Sequence, residues 1–107
     1  KRDFTYIDDI VEGVVRILKL PPVGHKGHAL YNIGNSSPVP LLEFIETIER
    51  CCGKKAERIL LPMQDGDVPA TYADTSRLER AIGFIPGTPL QVGMSNFVDW
   101  FRTYHKI

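Results

Sequence analysis

Only two cysteines occur among the 107 residues, Cys51 and Cys52, and as immediate neighbours they cannot close an ordinary disulfide loop. A reducing, cytoplasmic setting is therefore expected. Charge of one sign is equally scarce: thirteen Lys and Arg offset thirteen Asp and Glu, so the net charge is formally zero. That removes the footprint of a general nucleic-acid or membrane-surface binder. No apolar run approaches the roughly 20 residues that span a bilayer, and no signal-peptide pattern opens the chain. Internal repeats, low-complexity tracts and long linkers are absent too, which points to a single domain over residues 1–107. The glycine fingerprint of a dinucleotide site is missing as well. Gly24, Gly27 and Gly34 do not take the spacing needed after a strand and before a helix.

What the chain does contain is 43% apolar residues, enough to build a core. Asp3–Ile7 is rich in aromatic and β-branched residues and predicts a short strand, with Asp8-Asp9 at the cap of the helix that follows. Ile10, Val11, Val14, Ile17 and Leu18 form that helix's apolar stripe, and Pro21-Pro22 ends it. His28–Gly34 predicts a second strand before the turn-forming run Asn35-Ser36-Ser37-Pro38. A second helix is expected from near Pro40 to a stop at Gly53. The run Ile59-Leu60-Leu61, within Ala56–Pro62, predicts a strand buried on both faces, completing one right-handed strand–helix–strand crossover. Met63–Ala70 is loop. Asp74 or Thr75 can cap a short helix through Ala81, closed by Gly83. Leu90, Met94, Phe97, Phe101 and Tyr104 recur along a terminal helix expected to pack by that face. The expectation is thus an α/β fold with about three short strands and four helices.

Three stretches carry a family resemblance: Arg2-Asp3-Phe4-Thr5-Tyr6-Ile7-Asp8-Asp9-Ile10-Val11, Tyr31-Asn32-Ile33-Gly34-Asn35, and 64–75, Gln-Asp-Gly-Asp-Val-Pro-Ala-Thr-Tyr-Ala-Asp-Thr. In this order, with Gly83-Phe84, Thr88-Pro89-Leu90 and Phe97-Val98-Asp99-Trp100 after them, they resemble the C-terminal region of extended short-chain dehydrogenase/reductases. Within that superfamily the chain is most similar to nucleotide-sugar epimerases of the UDP-glucuronate 4-epimerase type. The resemblance implies a parent enzyme with two parts, an N-terminal Rossmann domain holding NAD and a smaller C-terminal domain holding the UDP-sugar. This chain matches only the second.

The family's catalytic Tyr-x-x-x-Lys has no match here: four residues after Tyr6, Tyr31 and Tyr72 stand Ile10, Asn35 and Ser76. The resemblance therefore implies a substrate-side fragment with no catalytic residue and no cofactor of its own, inactive alone. Self-association is expected, because removing the N-terminal domain would expose the apolar stripe of the first helix. A UDP-sugar decarboxylase, a UDP-galactose epimerase, a dehydratase and a stand-alone interaction domain are the alternatives.

By the same resemblance Arg2 contacts the diphosphate, a role that suits a planar, permanently charged guanidinium. Asp67 accepts the ribose hydroxyls, for which a carboxylate has acceptors enough. Gln64 stands where related epimerases often carry a second phosphate-binding arginine, so its neutral amide gives a weaker contact. Asp65 replaces the usual proline. Metal binding by His25, His28 and His105 is not expected, since no well-spaced ligand set with thiolates accompanies them.

Overall fold

The computed structural model describes residues 1–20 and 28–107. Among these residues are four helices, α1 Ile7–Leu18, α2 Leu41–Cys52, α3 Ser76–Ile82 and α4 Leu90–His105, with α2 packed on α4 and α1 on α3. The helix count matches the sequence pattern; the strands do not. Among the described residues no strand forms, and the only ladder pairing is one antiparallel bridge between Arg2 and Val39.

The α/β expectation, with its three strands and its crossover unit, is therefore corrected: the described residues form helices joined by extended segments. Extended backbone becomes a strand only when a neighbour supplies a run of partners. Here the partners are short or are side chains. Arg2 exchanges both backbone bonds with Val39 (3.0 and 2.8 Å), while the Lys1 backbone nitrogen donates to Pro69 O and Thr71 N–H donates to Lys1 O (2.8 and 3.2 Å). Past that point the Asp3 amide donates to the Thr71 hydroxyl instead (2.9 Å). Ile59, Leu60 and Leu61 are 76–78% exposed rather than buried on both faces. A short apolar run specifies neither a strand nor a burial partner.

Local signals at the helix ends hold better. Gly53 and Gly83 adopt left-handed φ of 69° and 66° and close α2 and α3, as a residue without Cβ permits. Asp74 Oδ1 accepts the Ser76 amide and hydroxyl (3.0 and 2.6 Å), which starts α3 and holds the Asp74 carboxyl below its ordinary range. Asp8 and Asp9 lie one step further in than expected: α1 begins at Ile7, so both sit in its first turn, where the helix dipole favours them. Asp9 also accepts the Thr88 amide at 3.0 Å. The Pro21-Pro22 stop lies outside the described residues.

Glycines let the helices approach the extended segments. Gly13 of α1 sits against Ile33, and Gly93 of α4 against the ring of Tyr6. Phe4 stacks on Phe44 of α2 with centroids 3.9 Å apart. The resulting core is thin. Among the described residues the buried apolar side chains are few, Leu78, Val98 and Pro86, and the radius of gyration is 17.0 Å against ~13 Å for a compact domain of this length. The face of α4 expected to pack turns only partly inward, with Phe97 and Tyr104 51% and 68% exposed. No helix among the described residues is long and apolar enough to cross a membrane.

With so little apolar burial, Glu49 becomes structurally prominent. It is 5% exposed on α2 and accepts the Ala56 amide (3.0 Å), Arg58 Nη2 (3.0 Å) and Lys55 Nζ (3.3 Å), anchoring the segment that leads into Ile59. The Ala56 amide, then Arg58 and Lys55, lower its carboxyl from 4.5 to about 2. Because the folded value lies below the unfolded one, this contribution is present above pH ~4.5 and is lost as pH falls toward 2. Glu49→Gln should therefore melt below wild type at pH 7, with the gap closing between pH 4.5 and 2. A gap that does not change with pH would contradict the assignment.

Candidate functional site

The site begins at a carboxylate to which the sequence reading assigned no role. Asp3 Oδ2 accepts the amides of Ser36 (2.9 Å) and Ala73 (3.4 Å), and Oδ1 accepts that of Ser37 (3.2 Å). Successive amides converging on one anion are a recurrent backbone cradle. Ser36 adopts a left-handed φ of 52° to present them, and its hydroxyl donates to Ala73 O at 2.6 Å. The three motif stretches, 2–11, 31–35 and 64–75, therefore converge around Asp3. A signal was present in the sequence: an acidic residue inside an aromatic, β-branched run is half-buried when that run packs, and a half-buried carboxylate requires donors.

That convergence positions the predicted residues. Arg2, next to Asp3, reaches along the 67–69 segment. Its Nη1 donates to Val68 O (2.6 Å) and Lys1 O (3.1 Å), and its Nη2 to Asp67 Oδ1 (2.7 Å). Asp67 Oδ1 also accepts its neighbour's Val68 amide at 3.1 Å. Gln64 and Asp67 are the ends of one turn, closed by Asp67 N–H donating to Gln64 O (3.1 Å), with Gly66 at φ 83° as the turn's third position requires. Arg2, Gln64 and Asp67 line one groove of about 570 Å³ together with Lys1, Leu41 and residues 61–63. All three predicted site residues are thus brought together, although two are separated from Arg2 by more than sixty positions.

The arrangement offers a guanidinium, an amide and a carboxylate on an open groove rather than a nucleophile with a base. Among the described residues no group of three His, Cys, Asp or Glu is placed to hold a metal, and His25 lies outside them. The positive-φ glycines, Gly53, Gly66 and Gly83, end helices or make the 64–67 turn. None opens a helix from a strand, so the described residues do not fit a dinucleotide.

No protein-family profile matches the chain. Individual relatives do. Protein CapI of Staphylococcus aureus is 44% identical over 98% of this chain and 36% of its own length. UDP-glucuronate 4-epimerase 2 of Arabidopsis thaliana is 40% identical over 98% of this chain and 26% of its own. The UDP-glucuronic acid 4-epimerase of Bacillus cereus, solved with UDP-glucuronic acid and NAD, superposes with a TM-score of 0.80 at 28% identity, covering 95% of this chain and 32% of that one. Over nearly its whole length the chain is homologous to the C-terminal region of UDP-glucuronate 4-epimerases. It spans between a quarter and just over a third of the length of these relatives.

Gly34 is the tightest point of the epimerase-family motifs. A Cβ there would stand 2.5 Å from Ala73 Cβ and 2.9 Å from Asp3 Oδ2. Gly34→Ala should cost about 1–3 kcal/mol of stability by overpacking, with partial recovery in Gly34→Ala/Ala73→Gly. A denaturation midpoint unmoved by Gly34→Ala would contradict this packing.

Proposed function

We propose that this chain is the nucleotide-sugar-binding part of an NAD-dependent 4-epimerase acting on UDP-glucuronate, a cytoplasmic enzyme of polysaccharide precursor synthesis. The observation that carries the reading is the meeting of Arg2, Gln64 and Asp67 in one groove. Arg2 supplies charge-assisted, directional donors to the diphosphate. Asp67 accepts the ribose hydroxyls, and Gln64 adds a neutral contact near the phosphates. The relatives' names and the bound UDP-glucuronic acid of the Bacillus cereus neighbour support this choice of ligand.

The chemistry belongs to the part of the enzyme that this chain does not match. NAD, when bound there, takes up and returns hydride at the sugar. The residues present here bind and orient the nucleotide end, so that the sugar is held at a fixed distance and angle. Val11, Val14 and Leu18 of α1 are 50%, 44% and 77% exposed, which supports packing of this helix against the nucleotide domain. In the chain by itself, the same faces support self-association.

Calorimetric titration of UDP into the chain tests the site. Arg2→Ala should weaken binding by about 1.5–3 kcal/mol, and Arg2→Lys should restore only part, since a point charge cannot reproduce the fork. An unchanged UDP affinity in Arg2→Ala would remove Arg2 from the site.

A further inference from the structure

The two side chains assigned to the nucleotide sugar occupy each other. Arg2 Nη2 and Asp67 Oδ1 stand 2.7 Å apart on the open groove. The guanidinium does not depend on that carboxylate for its position, because the carbonyls of Val68 and Lys1 already hold Nη1 at 2.6 and 3.1 Å. What Asp67 adds is charge. It neutralises the cation that a diphosphate seeks, and it confronts an arriving anion with like charge.

The pair is also easy to open. Its side chains are 34% and 50% exposed, and an ion pair so placed contributes little net free energy. Asp67 is otherwise held by the adjacent Val68 amide, so rotation about its own side-chain torsions frees it from Arg2 without moving the backbone.

Resting on the nucleotide-sugar reading above, we propose that the Arg2–Asp67 pair is an exchange latch that selects nucleoside diphosphates against bare diphosphate. The incoming diphosphate takes Arg2 and releases Asp67. A ligand that carries a ribose then offers the released carboxylate two neighbouring hydroxyl donors. Pyrophosphate offers none and leaves a carboxylate beside its own charge. Selectivity thus arises from a penalty on the wrong ligand as well as from a contact with the right one.

The test is titration of the full 107-residue chain, wild type and Asp67→Asn, with pyrophosphate and with UDP at one ionic strength. Asp67→Asn should bind pyrophosphate about two- to fivefold more tightly and UDP more weakly, lowering the preference for UDP by about tenfold. Asp67→Ala should shift both ligands in the same directions. The gain for pyrophosphate should be smaller when Asp67→Asn is added to Arg2→Ala, where only the like-charge repulsion is relieved. Pyrophosphate affinity that is unchanged or weaker in Asp67→Asn, with UDP still binding the wild type, overturns the latch alone. A gain that is undiminished by removal of Arg2 overturns it as well. Absence of both UDP and pyrophosphate binding in the wild type overturns the nucleotide reading and the latch with it.

Discussion

The carboxylate of Asp3 is the constraint on which the rest of the site depends. Amides from Ser36, Ser37 and Ala73 converge on it, and the residue before it is the arginine that faces the groove. Removing it would leave three backbone donors competing for water in a half-buried position, at about 1–3 kcal/mol for each one left unmet. It would also leave the left-handed turn at Ser36 held only through its hydroxyl, which donates to Ala73 O at 2.6 Å. Arg2, Gln64 and Asp67 share one groove because segments more than thirty residues apart are tied to the same oxygen pair.

A similar device recurs at Glu49, where a carboxylate gathers Ala56, Arg58 and Lys55. Both hubs do for extended backbone what a sheet ladder does elsewhere. They supply partners for segments that lack a long run of strand neighbours. The pattern accords with a thin molecule, 19 Å along its shortest axis, whose buried apolar side chains are few. When dispersion and burial contribute little, directional polar contacts set the arrangement of the segments. The same scarcity leaves large apolar faces in water, on α1, on Ile59–Leu61 and along the aromatic row of α4, where Trp100 and Tyr104 stack at 5.4 Å.

The sequence was informative wherever a signal acts locally. Periodicity located α1, α2 and α4, cap and stop residues located α3, and Gly53 and Gly83 ended their helices because a left-handed residue is a local requirement. Strands failed because pairing is not local. Asp3–Ile7 has strand composition, yet the amide of its first residue, Asp3, bonds a side chain, and Ile59–Leu61 is apolar without a surface to cover it. The site was legible through its motifs, since Arg2, Gln64 and Asp67 do meet. The Arg2–Asp67 contact and the role of Asp3 were not, because both arise from the meeting of distant segments that periodicity does not describe.

The central claim is that Asp3 holds the motif segments together as one unit. Amide hydrogen exchange, residue by residue, in wild type and Asp3→Ala tests it most directly. The account predicts that Ser36 and Ala73 lose protection together with Arg2 and Val39, whose bridge is not bonded to the Asp3 side chain, while α4 keeps its protection. If Arg2 and Val39 retain wild-type protection while Ser36 and Ala73 exchange freely, Asp3 is a local cap and the account is wrong.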